Sequence, residues 1–226
     1  MIDCKQIVYQ QDYVKLFLHR NGVRNYRDFE TIRKNTLADT RIKALIDELQ
    51  DWPGYPIQNH KKVDHPLHRL SLLAELGLHR EDPGIQRILD RIYEHQSPEG
   101  PFVLLVDIPR VFGGSGGPRL TWVMSDAPVI VYAALKLNRG EISPGIRKAL
   151  DAIAELVRDN GWPCRAAAGL GRFRGPGRKD DPCPYATMFT LKMLSLTPPE
   201  EYAAHKETGI AAVEELWKTR KEKKPY

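Results

Sequence analysis

Cysteine is scarce in this chain: 226 residues contain three, Cys4, Cys164 and Cys183. Three scattered thiols make no disulfide framework, so a reduced, cytoplasmic protein is the expectation. Long apolar runs are missing as well. Nowhere do about 18 apolar residues follow one another, which excludes a membrane-spanning helix, and no apolar stretch near the start has leader-peptide character. Excess charge is small, since 34 Lys and Arg face 29 Asp and Glu to leave +5. Much of that surplus sits between Lys218 and Lys224, where five cations accompany one glutamate. With no helix-turn-helix or zinc-finger spacing beside it, no specific nucleic-acid partner is expected. Alternating strand patterns are nearly absent, Phe102-Val103-Leu104-Leu105-Val106 being the lone candidate.

What is present is a globular composition, 42% hydrophobic and 28% charged, carrying an internal repeat. Pro83-Gly84-Ile85 leads to Ile88, Leu89, Asp90 and Ile92. At a constant offset of 61, Pro144-Gly145-Ile146 leads to Ala149, Leu150, Asp151 and Ile153. Apolar positions at this spacing mark one face of an α-helix, with Pro and Gly at its start. Looser copies run from Ile42 to Leu49 and from Gly209 to Trp217. Three of the four helices end in a glycine followed by an aromatic: Gly54-Tyr55, Gly100-Pro101-Phe102 and Gly161-Trp162. The glycine supplies a positive φ and the aromatic plugs the helix end.

A second helical family lies between these: His65 to Leu78, Met124 to Leu137 and Cys183 to Leu196, with Leu76, Leu135 and Leu194 at offsets of 59. It is apolar on all sides, most clearly over 129–135, and is therefore expected to be buried. The fold expected is all-α, an array of alternating inner and outer helices in one domain spanning 1–226. Residues 1–40 form an N-terminal helical extension. Repeats follow at about 41–78, 83–137 and 144–196, with a final outer helix at 205–221.

Gln96-Ser97-Pro98-Glu99-Gly100-Pro101-Phe102 resembles the glutamine–tryptophan turn of the α/α-toroid superfamily, with Phe in place of Trp, and Asn160-Gly161-Trp162 resembles it with the glutamine lost. That superfamily contains the terpenoid cyclases and the β subunits of protein prenyltransferases. The resemblance covers about residues 40–226 and implies an α/α toroid, here an incomplete barrel, because closed members carry more than three helix pairs. A shortened chain is the expectation. The acidic Asp-x-Asp-Asp motif of the cyclases is absent, so squalene-type cyclisation is not expected. Asp181-Pro182-Cys183 is similar to the Asp-x-Cys zinc element of the prenyltransferases, whose histidine would fall beyond Tyr226.

The resemblance implies a prenyltransferase-like protein that binds an isoprenoid or other hydrophobic small molecule in an apolar cavity, with zinc as the possible cofactor. Asp181 and Cys183, with His65 at the same rim, are the candidate metal ligands; equally, Asp181 reads as a helix cap and Cys183 as a small buried side chain. His65 and His68 also read as polar residues of a loop leading into a helix. Arg172, Arg174, Arg178 and Lys179 lie on a glycine-rich loop suited to a diphosphate, or simply to water. Trp122 and Tyr185, with Met124, Tyr132, Met188 and Phe189, are expected to line the cavity or to pack in the core. The loop Val111 to Arg119 is glycine-rich and is expected to lead into a helix, but lacks the Gly-Lys-Ser/Thr ending of a phosphate loop. A different class of function also fits: a non-catalytic helical-repeat scaffold that binds a protein partner or a second copy on its concave face.

Overall fold

The computed structural model describes residues 10–58, 62, 64–173 and 181–222. They hold nine α-helices: α1 (Asp12–Arg20), α2 (Phe29–Ala38), α3 (Thr40–Leu49), α4 (Pro66–Glu75), α5 (Ile85–Glu94), α6 (Ala127–Leu137), α7 (Pro144–Ala154), α8 (Pro184–Leu194) and α9 (Ala203–Lys218). Two three-residue strands, β1 (Leu104–Val106) and β2 (Arg119–Thr121), pair antiparallel with Leu105 opposite Leu120. The chain is thus mainly helical, and the expected strand exists but is short.

The apolar family forms one row, with α4 against α6 and α6 against α8. The amphipathic family lies along that row: α3 touches α4 and α5, α5 and α7 pack on α6, and α7 and α9 pack on α8. Sequence period explains the layering. On α5 the residues Ile85, Ile88, Leu89 and Ile92 are fully buried, and on α7 so are Ile146, Ala149, Leu150 and Ile153. Each large aliphatic side chain removed from water in this way stabilises the fold by about 1.5–3 kcal/mol. In the middle of the row, every residue of α6 except Lys136 is buried. Ser143 caps α7 by accepting from the Ile146 N–H, and Pro144 occupies its first turn, where a missing N–H costs nothing.

The glycine–aromatic turns key one repeat into the next. Gly100 has φ +119° and lies against Lys148 and Ala152 of α7; Gly161 has φ +100° and lies against Ala212 of α9. Phe102 and Trp162 are fully buried behind them, and the Trp162 indole N–H donates to the Ile153 carbonyl at 2.9 Å. The first turn departs from the expectation. Tyr55 is exposed and donates its hydroxyl to the Asp64 carbonyl, while Trp52, two residues before Gly54, is the buried ring. Upstream, α1 packs on α2, and Arg33 pairs with the buried Asp82, whose second oxygen accepts from the His79 N–H at 2.8 Å. That contact joins the N-terminal extension to the turn after α4.

Candidate functional site

The apolar row starts from three side chains at one end: His65 precedes α4, Asp126 precedes α6 and Cys183 precedes α8. Two of them cap their helices. His65 Nδ1 accepts from the Leu67 N–H at 3.1 Å, and Cys183 Sγ accepts from the Ala186 N–H at 3.4 Å. Asp126 makes no such cap; it is buried, and its Oδ1 has no hydrogen-bond partner. Burial therefore raises its pKa to about 7, against a lowering contribution from a hydrogen bond with Ser125.

Cys164 joins this group from the connection between α7 and α8, outside either helix. Residues 162–167 run beside 122–124, the Met124 N–H donating to the Arg165 carbonyl at 2.8 Å and the Ala167 N–H to the Trp122 carbonyl at 3.1 Å. On its other side the Cys183 N–H donates to the Trp162 carbonyl at 3.0 Å. These ties bring the two thiols near enough for each to shift the other's ionisation. That interaction lowers the pKa of Cys183, with help from the backbone N–H groups of Ala186 and Tyr185 and against burial. It raises that of Cys164, as do burial and the charges of Cys183 and Asp126. Tyr185 stands in the same field: burial, then Asp126 and Cys183, push its hydroxyl up to about 12.

Two glycine-rich loops meet beside this end. A Cβ on Gly113 would stand 3.1 Å from the Arg172 backbone, and one on Gly171 would stand 2.9 Å from the Gly113 carbonyl oxygen. The first loop does not lead directly into a helix; it connects β1 to β2, and α6 begins only at Ala127. Its tip exposes Val111 and Phe112. Arg172 is exposed, while Arg174, Arg178 and Lys179 lie outside the described residues.

One open face of the apolar row carries a charged cluster. Glu75 on α4 accepts from Tyr132 Oη and Lys136 Nζ on α6 and from Lys192 Nζ on α8, each at 2.7 Å. Burial would raise the Glu75 pKa, but the two lysines and the tyrosine hold it at about 2. Counting backwards by helical turns from Glu75 and Lys192, the same face presents Leu72 on α4 and Met188, Phe189 and Tyr185 on α8. Leu72 is 42% and Met188 58% exposed, unusual for large apolar side chains. The Tyr185 and Phe189 rings lie 4.4 Å apart. At the α3–α4 edge this strip opens into a groove of about 610 Å³ lined by Leu45, Lys62, Asp64, His68, Arg69 and Leu72.

The residues expected at the site thus divide. Met124 and Trp122 are core, the latter donating its indole N–H to Glu99 at 2.7 Å. Tyr132 is buried and bound to Glu75, whereas Tyr185, Met188 and Phe189 border solvent. Among the described residues, His65, Asp181 and Cys183 belong to no group of three His, Cys, Asp or Glu side chains placed to hold a metal ion. Asp126 and Cys164 are the site residues that sequence reasoning missed. Asp126 occupies the residue before its helix, as His65 and Cys183 do, but the constant 59-residue offset lands on Met124 instead.

No helix among the described residues is long and apolar enough to cross a membrane. The chain matches no family model, no curated protein and no solved structure.

Proposed function

We propose that this chain is an open arc of the α/α-toroid type whose exposed inner face binds an isoprenoid-like or other lipid-like anion. The observation that carries the reading is the Glu75–Lys136–Lys192 cluster next to exposed Leu72 and Met188. Two ammonium groups face one carboxylate there, so one positive charge is left over for an anionic headgroup. Within a few turns of it lies an apolar strip that water covers at a cost of about 25 cal/mol per Å², and that strip continues into the groove beside Leu45. The reading takes from the resemblance a class of ligand and not a reaction.

Isothermal titration with farnesyl diphosphate, palmitate and uncharged farnesol tests it. The two anions are expected to bind saturably and farnesol more weakly. Lys192→Gln should weaken the anions by about tenfold, and Met188→Asp should abolish binding of all three. Both side chains are exposed, so neither change threatens the fold. Absence of saturable binding by every probe, or binding indifferent to both variants, overturns the reading.

A further inference from the structure

We propose that the tip of the β1–β2 connection is a docking surface for an anionic lipid bilayer. Val111 and Phe112 enter the acyl layer, and Arg110, Arg119 and Arg172 lie at the level of the phosphates. The inference is independent of ligand binding at the Glu75 cluster, with which it shares no residue. The connection carries the most exposed large apolar side chain among the described residues, Val111 at 84%, beside Phe112 at 68%. Leu120 adds a third at 56%. It stands opposite Leu105 on the face of the hairpin turned away from the core, whereas Leu104, Val106 and Thr121 point inward and are buried.

The turn itself holds the two tip side chains in water. Arg110–Phe112 form a single 3-10 turn. The Phe112 N–H donates to the Pro109 carbonyl at 3.0 Å, the Gly113 N–H to the Arg110 carbonyl at 2.9 Å and the Gly116 N–H to the Ile108 carbonyl at 3.1 Å. Ile108 packs against the core beneath, and a Cβ on Gly114 would collide with the Ile108 carbonyl oxygen. The loop is thus pressed onto its own base, with Val111 and Phe112 outside it. Its internally satisfied N–H groups also suit a lipid surface, where an unmet backbone group is costly.

Charge selects the partner. Arg110 and Arg119 flank the tip in the chain, and the backbone of Arg172 passes beside Gly113. All three arginines are exposed, and among the described residues no carboxylate pairs with any of them. The stretch 107–119 has one acid, Asp107, which accepts from the Gln58 amide at 3.0 Å. Apolar side chains set among cations match the layering of a bilayer, apolar within and anionic at its headgroups. A stable protein interface takes about 20–30 residues a side, far more than this turn presents.

Cosedimentation of the full chain with vesicles tests the proposal, using phosphatidylcholine alone or with about one-third phosphatidylserine. Binding is expected on the mixed vesicles, weaker by about tenfold or more on phosphatidylcholine, and reduced by salt. Val111→Ser and Phe112→Ser together should weaken it by about tenfold or more, and Arg119→Gln and Arg172→Gln by about fivefold each. All four side chains are exposed, and circular dichroism checks the fold. In Phe112→Trp, bromine-labelled acyl chains should quench the fluorescence more than in the parent. The paired serine variant should bind farnesyl diphosphate as the parent does; a parallel loss in both assays overturns a separate bilayer surface. Absence of binding to the mixed vesicles, or binding that the serine and glutamine changes leave intact, overturns the proposal. So does self-association that the serine variant abolishes while vesicles stay unbound, which assigns the tip to a second copy.

Discussion

The side-chain amide of Gln96 donates to the Gly145 carbonyl at 2.7 Å, joining the end of α5 to the first turn of α7. The same nitrogen donates to the Gly100 carbonyl at 2.7 Å, so one side chain fixes its own turn and its neighbour's helix together. Gln96→Ala leaves two carbonyls to find other donors and should cost about 1–3 kcal/mol. The check is the urea midpoint. An unchanged midpoint would show that water replaces the amide at no cost.

Gly100 and Gly140 separate backbone freedom from close approach. At Gly140 φ is +81° and a Cβ would meet nothing within 4 Å. At Gly100 φ is +119° and a Cβ would stand 2.6 Å from the Ala152 Cβ and 2.8 Å from the Lys148 carbonyl oxygen. Gly140→Ala should therefore cost about 1 kcal/mol and Gly100→Ala about 3 kcal/mol or more. Equal losses in paired denaturation curves would mean that the turn does not press on α7.

The carboxyl of Asp126 gives the protein a pH dependence of a particular sign. Its folded pKa, about 7, lies above the ordinary 3.8 because burial opposes ionisation. Between those values the folded chain holds a proton that the unfolded chain has released, so stability falls as pH rises from about 4 to about 7, then levels off. Asp126→Asn keeps the shape and removes the titration. The difference in urea midpoint between pH 5 and pH 8 should shrink in that variant; an identical difference in both proteins would be inconsistent with a carboxyl whose ionisation burial opposes.

The helices were legible because burial writes its own period. Ile88, Leu89 and Ile92 repeat as Ala149, Leu150 and Ile153, and all six are buried. The end of the row where Asp126 sits was less legible for a geometric reason. Counting back a fixed 59 positions from Leu76, Leu135 and Leu194 aligns His65 with Met124 and Cys183, yet the residues that precede the helices are His65, Asp126 and Cys183. The intervals are 61 and 57, because the connections differ in length. Cys164 left no periodic trace at all. Its position depends on backbone pairing between 122–124 and 162–167, a contact across some forty residues that short-range pattern does not encode. The partner of the expected strand was hidden likewise, since Arg119–Thr121 is too short to show alternation.

The near-complete burial of α6 bears on how the molecule comes apart. Helical arrays often melt from their ends, each unit being supported only by its neighbours. Here the central helix packs on α4, α8, α5 and α7 at once, so loss of any one of these exposes its largely apolar surface to water. Peeling is thereby coupled to collapse of the centre. The array behaves as a keystone structure, and amide hydrogens of 130–135 should exchange only through global opening.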